Sequence, residues 1–217
     1  MASALRQEFA SILGGPFDWQ SRPEPEFAAS GIPEIRLPRG CLTEIYGPAS
    51  SGRTTLLYSI LAAATAREEH CALADAGDTF DPAAAAAAGV RLDRLLWISC
   101  GNNLENLLKS CDLLVQGGGF GVVAMDFADA PPEQSRRISL TSWFRLRRAV
   151  ENTPTILVSL ARQQHAKTCA SLAVECRRER AAWPGSQPAR LFRGMRVRAT
   201  AAERRKACTP VFTVKAI

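Results

Sequence analysis

The stretch Gly47-Pro-Ala-Ser-Ser-Gly52-Arg53-Thr54-Thr55 constrains the fold of this chain more than any other. It follows an alternating apolar run, CLTEIY, and opens a helix-like one, TTLLYSILAAATAREE. Strand, glycine-rich loop and helix in that order make an anion nest. The glycines permit backbone angles that turn N–H groups inward, and the helix dipole adds to their pull. Gly47, Ser50, Ser51, Gly52, Arg53, Thr54 and Thr55 are therefore candidate phosphate-binding residues, and the Thr54 hydroxyl suits Mg²⁺. Arg53 departs from the motif, which has lysine there; its planar fork does not reproduce a compact ammonium held between two phosphates. A strand–helix turn with no ligand is the plainer alternative.

Around that loop, strand and helix patterns alternate. HCALADAG, RLLWISC, FGVVAMDF and TPTILVSLA read as strands. DPAAAAAAGV, NLENLLKSCDLLVQGG and an arginine-rich segment at 134–150 read as helices. Such alternation predicts an α/β domain with a mainly parallel sheet between helices. The last segments, ASLAVECRRE, ARLFRGMRVRAT and PVFTVKAI, alternate with period 2, as half-exposed antiparallel strands do. A chain of 217 residues holds one full core. Residues 3–13 read as a short amphipathic helix and 14–33 as an extended arm, so a lead-in of 1–39 precedes a core domain of 40–217. Asp126, ending the apolar strand VVAM, is the second acidic element such a site wants, holding Mg²⁺ through water.

Several function classes are disfavoured. The chain has 7 cysteines, an odd number with no Cys-x-x-Cys pair, and only His70 and His165 as imidazoles. Disulfide frameworks and histidine-based metal sites do not follow from that pattern, and the thiols read as reduced, mostly core and cytoplasmic. No apolar run is long enough to span a membrane, and no basic segment followed by an apolar stretch opens the chain.

Charge is divided unevenly. Residues 1–135 carry 9 basic and 17 acidic side chains, whereas 136–217 carry 18 basic and 4 acidic ones. Candidate DNA-binding residues are Arg136, Arg137, Arg145, Arg147 and Arg148 around one helix. Arg177, Arg178, Arg196, Arg198, Arg204 and Arg205 crowd the last strands. Arginine–phosphate pairing gives salt-dependent, sequence-independent affinity, and Trp143, Phe144 and Trp183 are aromatic neighbours for stacking on bases, with Trp143 reading more as core. A solvated face, or an acidic protein partner, remains the alternative.

GCLTEIYGPASSGRTTLL, CALADAGDTFDPAAAAAAGVRLDRLL and GVVAMD resemble, in order and spacing, the ATPase core of the RecA recombinase family. The resemblance is close over about Gly40–Asp126 and implies a seat for ATP and Mg²⁺, with Asp81 of the Asp81-Pro82 pair at the nucleotide. Four positions depart from it. Besides Arg53, Gly77 stands where the family has the glutamate that activates water, and Ala84 stands where an aromatic stacks on adenine. Arg162 replaces the glutamine that senses the terminal phosphate. Loss of the water-activating base alone costs about 10²–10⁴ in rate, so the four departures together argue for a degenerate ATPase site and against an efficient ATPase. The family's two DNA loops would fall at about 128–138 and 163–171.

A short RecA-like chain of this kind resembles the ImuA family of bacterial mutagenesis cassettes. That resemblance implies an accessory role in SOS-induced translesion synthesis, with an ImuB-type polymerase homologue and an error-prone polymerase as partners. DNA or a RecA filament would be a further contact. A minimal DNA-dependent ATPase or recombinase is the alternative, and a SulA-like cell-division inhibitor ranks below both.

Overall fold

The structure, a computed structural model, describes residues 25–185, 190–203 and 207–215. The expected helix at 3–13, most of the arm, and Arg204 and Arg205 lie outside the described residues. A small antiparallel pair comes first, β1 (Phe27–Ala29) with β2 (Arg36–Pro38). Ala28, Ile35 and Leu37 of this pair are buried in the same apolar cluster as the main helix, so residues 25–39 pack on the core.

Among the described residues nine strands form the main sheet. Five carry the α/β alternation: β3 (Leu42–Tyr46), β4 (Cys71–Asp75), β5 (Leu95–Ser99), β6 (Val122–Asp126) and β7 (Ile156–Ala161). The others are β8 (Leu172–Ala182), β9 (Gly194–Glu203), β10 (Ala207–Cys208) and β11 (Val211–Lys215). The order is β5-β4-β6-β7-β3-β8-β9-β10, with β11 also on β9. Pairings from β5 through to β8 are parallel, and β9 runs antiparallel to β8, β10 and β11. The mainly parallel sheet with an antiparallel finish is thus present, and β8 is the seam, parallel to β3 on one edge and antiparallel to β9 on the other.

Helices cover both faces. α1 (Arg53–Ala66) buries Leu56, Leu57, Ile60, Leu61 and Ala64, a helical spacing, and ends where Glu68 takes a left-handed φ of 65°. α2 (Pro82–Ala87) starts with proline and is capped by Asp81, whose carboxylate accepts from the Ala83 and Ala84 amides. α3 (Leu104–Gly117), capped by Asn103, turns Leu107, Cys111 and Val115 to the opposite face of the sheet. There it meets α5 (Leu140–Val150), which buries Trp143, Leu146 and Val150.

The segment 134–150 is not one helix. A single turn, α4 (Pro132–Ser135), precedes α5, and Arg136 and Arg137 lie in the connection. The break has a local cause: Ser139 is extended, and its hydroxyl accepts from the Ser142 amide, which starts a new helix there. Among the described residues no disulfide is formed, no acidic–histidine–cysteine cluster suits a metal, and no helix is long and apolar enough to cross a membrane.

Candidate functional site

The registers align the carboxyl ends of four strands at one edge. Tyr46 lies beside Ala161, Asp126 beside Leu160 and Asp75 beside Asp126. The chain leaves β3 for β4 on one side and returns to flank it with β8 on the other, so the order reverses beside β3. In open α/β sheets that crevice, outside the carboxyl ends, is where ligands bind. The Gly47–Gly52 loop occupies it.

Contact with the antiparallel finish dictates the loop's glycines. A Cβ on Gly47 would lie 2.3 Å from the Cys176 carbonyl of β8. Gly52 has φ 88°, and a Cβ there would lie 2.6 Å from Val197 Cγ2 of β9. Ser50 is exposed with φ 56°, whereas the buried Ser51 hydroxyl has no hydrogen-bond partner among the described residues. Thr54 is exposed on the first turn of α1, and Thr55 is partly buried.

Arg53 is buried, only 6% exposed. Its guanidinium turns back under its own loop and donates to the Gly47 carbonyl. It also faces Asp129 Oδ1 at 3.7 Å. Arg162, just beyond β7, donates from its terminal nitrogen to the same Asp129 oxygen at 3.0 Å and from Nε to the Ala128 carbonyl at 2.8 Å. Two arginines and one carboxylate therefore bridge the loop and the ends of β6 and β7. Burial lowers the pKa of Arg53, opposed first by Asp126 and then by Asp129. Burial also pushes Asp126 up to about 7, although its carboxylate accepts the Ala128 amide at 2.9 Å. Asp75, next along the edge, accepts from the Gly77 and Phe80 amides.

A Cβ on Gly77 would stand 3.5 Å from Asp129 Cβ, so a side chain there would enter this crevice, and none does. Asp81 is spent on the cap of α2. The seat thus has left-handed backbone at Ser50 and Gly52 and an orphaned buried hydroxyl at Ser51, which suit an anion. It also holds a guanidinium tied to the loop's own backbone, an Asp126 with a costly negative charge and no carboxylate at 77. Those residues do not fit Mg²⁺–ATP as a hydrolytic pair.

The expected DNA-binding arginines fall into two groups. Arg136, Arg137 and Arg148 are exposed; Arg145 pairs with Asp112 at 3.6 Å and Arg147 with Glu151 at 3.2 Å. On the antiparallel finish, Arg177, Arg178, Arg196 and Arg198 are exposed. Glu175 pairs with Arg177, and Glu179 pairs with both Arg196 and Arg198. Trp143 is core, packed 6.1 Å from the Phe127 ring, so it stacks on nothing external. The connections after β6 and β7 are short, and each buries a few small or apolar residues while Asp129, Arg136, Arg137, Arg162 and Gln163 stay exposed. Phe127, Ala128 and Ala130 are buried in the first, and Ala166, Cys169 and Ala170 in the second. Glu44, fully buried on β3, anchors the second by accepting the His165 and Ala166 amides at 2.6 and 2.9 Å. Sequence patterns had not singled out Asp129, Glu44 or Glu179. Asp129 carries a faint signal, an acidic residue three positions after Asp126, but its role depends on where β7 ends.

Strand order, loop and aligned acidic ends define the class: an α/β domain with a glycine-rich strand–loop–helix turn at the switch point of its sheet. Residues 28–135 match the RecA N-terminal domain, which makes this stretch RecA-like. Protein RecA of Laribacter hongkongensis is 44% identical over 90 residues, 42% of this chain and 25% of that protein. Protein RecA of Haemophilus ducreyi and of Deinococcus radiodurans are each 46% identical over 90 residues, 42% of this chain and 24% of theirs. The chain spans about a quarter of the length of these curated relatives.

Proposed function

We propose that this chain is a RecA-like accessory protein of DNA-damage tolerance, a scaffold in SOS-induced translesion synthesis rather than a motor. Its partners in this reading are an ImuB-type polymerase homologue and an error-prone polymerase, with DNA or a RecA filament contacted through the arginine-rich C-terminal half. The observation that carries the reading is Arg53 folded onto Gly47 and Asp129, together with the missing carboxylate at Gly77. A phosphate entering the loop would have to displace the buried Arg53 guanidinium from the Gly47 carbonyl and from Asp129, and no carboxylate at 77 waits to activate water. The fold then serves as a docking body whose loop is structural. Gly47 and Gly52 keep their roles in this view because β8 and β9 press on them, with or without a nucleotide.

One observation favours the alternative, a minimal DNA-dependent ATPase. Thr54 stays exposed at the start of α1 and Asp126 stays at the strand end, as Mg²⁺ ligation would need. ATP turnover by purified protein, with and without single-stranded DNA, separates the two. The scaffold reading expects no turnover, and co-purification with the polymerase homologue that is unchanged in an Arg53→Lys/Gly77→Glu variant. DNA-stimulated turnover in the natural protein would overturn it.

A further inference from the structure

α5 has an outer flank that the described residues leave uncovered. Trp143, Leu146 and Val150 turn to the sheet, and α3 takes one side of the helix, where Arg145 meets Asp112 at 3.6 Å. Leu140, Phe144 and Arg148 recur at i, i+4 and i+8, which stacks them along the other side. Leu140 and Phe144 are each 49% exposed. A lone wet apolar residue needs no explanation, but two stacked in helical register form a strip. Cations bracket that strip. Arg136 and Arg137 lead into the helix, Arg148 ends the row, and Lys167 opens the short turn Lys167–Cys169 that packs on α5. All four are exposed and have no carboxylate partner among the described residues. Between positions 131 and 150 the sequence has 5 arginines and a single acidic residue, Glu133.

We propose that the outer flank of α5 is a docking face for an acidic amphipathic helix of a protein partner. Leu140 and Phe144 are its apolar anchors, and Arg136, Arg137, Arg148 and Lys167 meet carboxylates along the partner's rim. Charge complementarity selects an acidic partner, and the apolar strip selects a protein over a nucleic acid. Leucine offers no ring for a base to stack on, and phosphates laid along the strip would lose water against Leu140 and Phe144. From Leu140 to Arg148 the helix rises about 12 Å, enough for about two turns of a partner helix laid alongside. The inference rests on the scaffold reading, which needs a face for its partner, and it assigns the cations around α5 to protein rather than DNA.

Fluorescence anisotropy of the full chain tests it with three labelled probes. One is a glutamate-rich helical peptide with leucines in i, i+4 register, the second its scrambled version of equal charge, and the third oligo-dT. The natural protein is expected to bind the ordered peptide about tenfold or more tighter than the scrambled one. Leu140→Ser/Phe144→Ser is expected to abolish that preference. Arg137→Glu/Arg148→Glu is expected to weaken both peptides and to flatten their salt dependence. Thermal midpoints confirm that each variant folds, and Phe144→Lys alone repeats the apolar test with one exposed substitution. No preference for the ordered peptide, or an undiminished preference in Leu140→Ser/Phe144→Ser, would overturn the proposal. So would a loss of oligo-dT affinity in both double variants with peptide binding unchanged, which would make the flank a nucleic-acid surface. Co-purification separates this face from the reading beneath it. A polymerase homologue retained equally by the natural protein and by Leu140→Ser/Phe144→Ser sinks the face and leaves the scaffold. Ordered-peptide binding without retention of the homologue sinks the partner named above and leaves the face.

Discussion

Arg53 and Asp129 face each other at 3.7 Å across the mouth of the loop, one at the start of α1 and the other beyond β6. Arg162 holds the same carboxylate from the end of β7, so the crevice is closed by an arginine–aspartate–arginine bridge. Of the three only Arg53 is buried, whereas Asp129 and Arg162 stay exposed, so loss of Asp129 would leave one buried guanidinium without its nearest carboxylate partner.

Arg53→Lys should loosen that bridge, because a compact ammonium cannot donate to Gly47 and face Asp129 in the same fork-like way. Thermal shift with millimolar Mg²⁺–ATP is expected to be flat for the natural protein and positive for Arg53→Lys. A clear midpoint rise in the natural protein would mean that nucleotide displaces the guanidinium readily.

The loop glycines should matter for stability without any ligand. Gly47→Ala would drive a methyl to 2.3 Å from the Cys176 carbonyl, which is backbone and cannot swing away. Gly52→Ala combines a φ of 88° with a close approach to Val197. Each is expected to cost about 1–3 kcal/mol or more, read by urea denaturation. An unchanged midpoint would show that β8 and β9 give way.

Asp126 should impose a pH dependence of known sign. Burial raises its folded pKa to about 7 from an ordinary 3.8, so between about pH 4 and 7 the folded state holds a proton that the unfolded state has lost. Its contribution is therefore full below about pH 4 and is lost as pH rises through about 7. Asp126→Asn keeps an acceptor for the Ala128 amide and removes this slope. Denaturation at a series of pH values should show the variant gaining on the natural protein toward pH 8, with the gap closing in acid.

Glu44 tests how the connection after β7 is held. Glu44→Ala orphans the His165 and Ala166 amides, at about 1–3 kcal/mol each, whereas Glu44→Gln keeps an acceptor in place. The alanine variant should unfold markedly earlier and the glutamine variant only slightly. Equal losses would mean that the carboxylate's charge, rather than its acceptor, matters.

Much of the fold was legible locally. Strand–glycine loop–helix order, period-2 runs and the Asp81-Pro82 helix start are written in adjacent residues, where propensity and capping act over a few positions. The break between α4 and α5 was missed because the arginine-rich run has a helical composition throughout; one serine side chain bonding its neighbour's backbone decided it.

By itself the sequence determined that a glycine-rich loop joins a strand to a helix, that arginine replaces lysine at 53, and that positive charge gathers after residue 135. Only tertiary structure decided what Arg53 is bound to, which flank of α5 is left uncovered, and that Trp143 is core while Trp183 is wet. The reason is physical. Local patterns report which backbone conformations and faces a segment prefers, whereas Gly47 against Cys176, Arg53 against Asp129 and Arg177 against Arg198 arise from strand order, which brings together residues far apart in the chain.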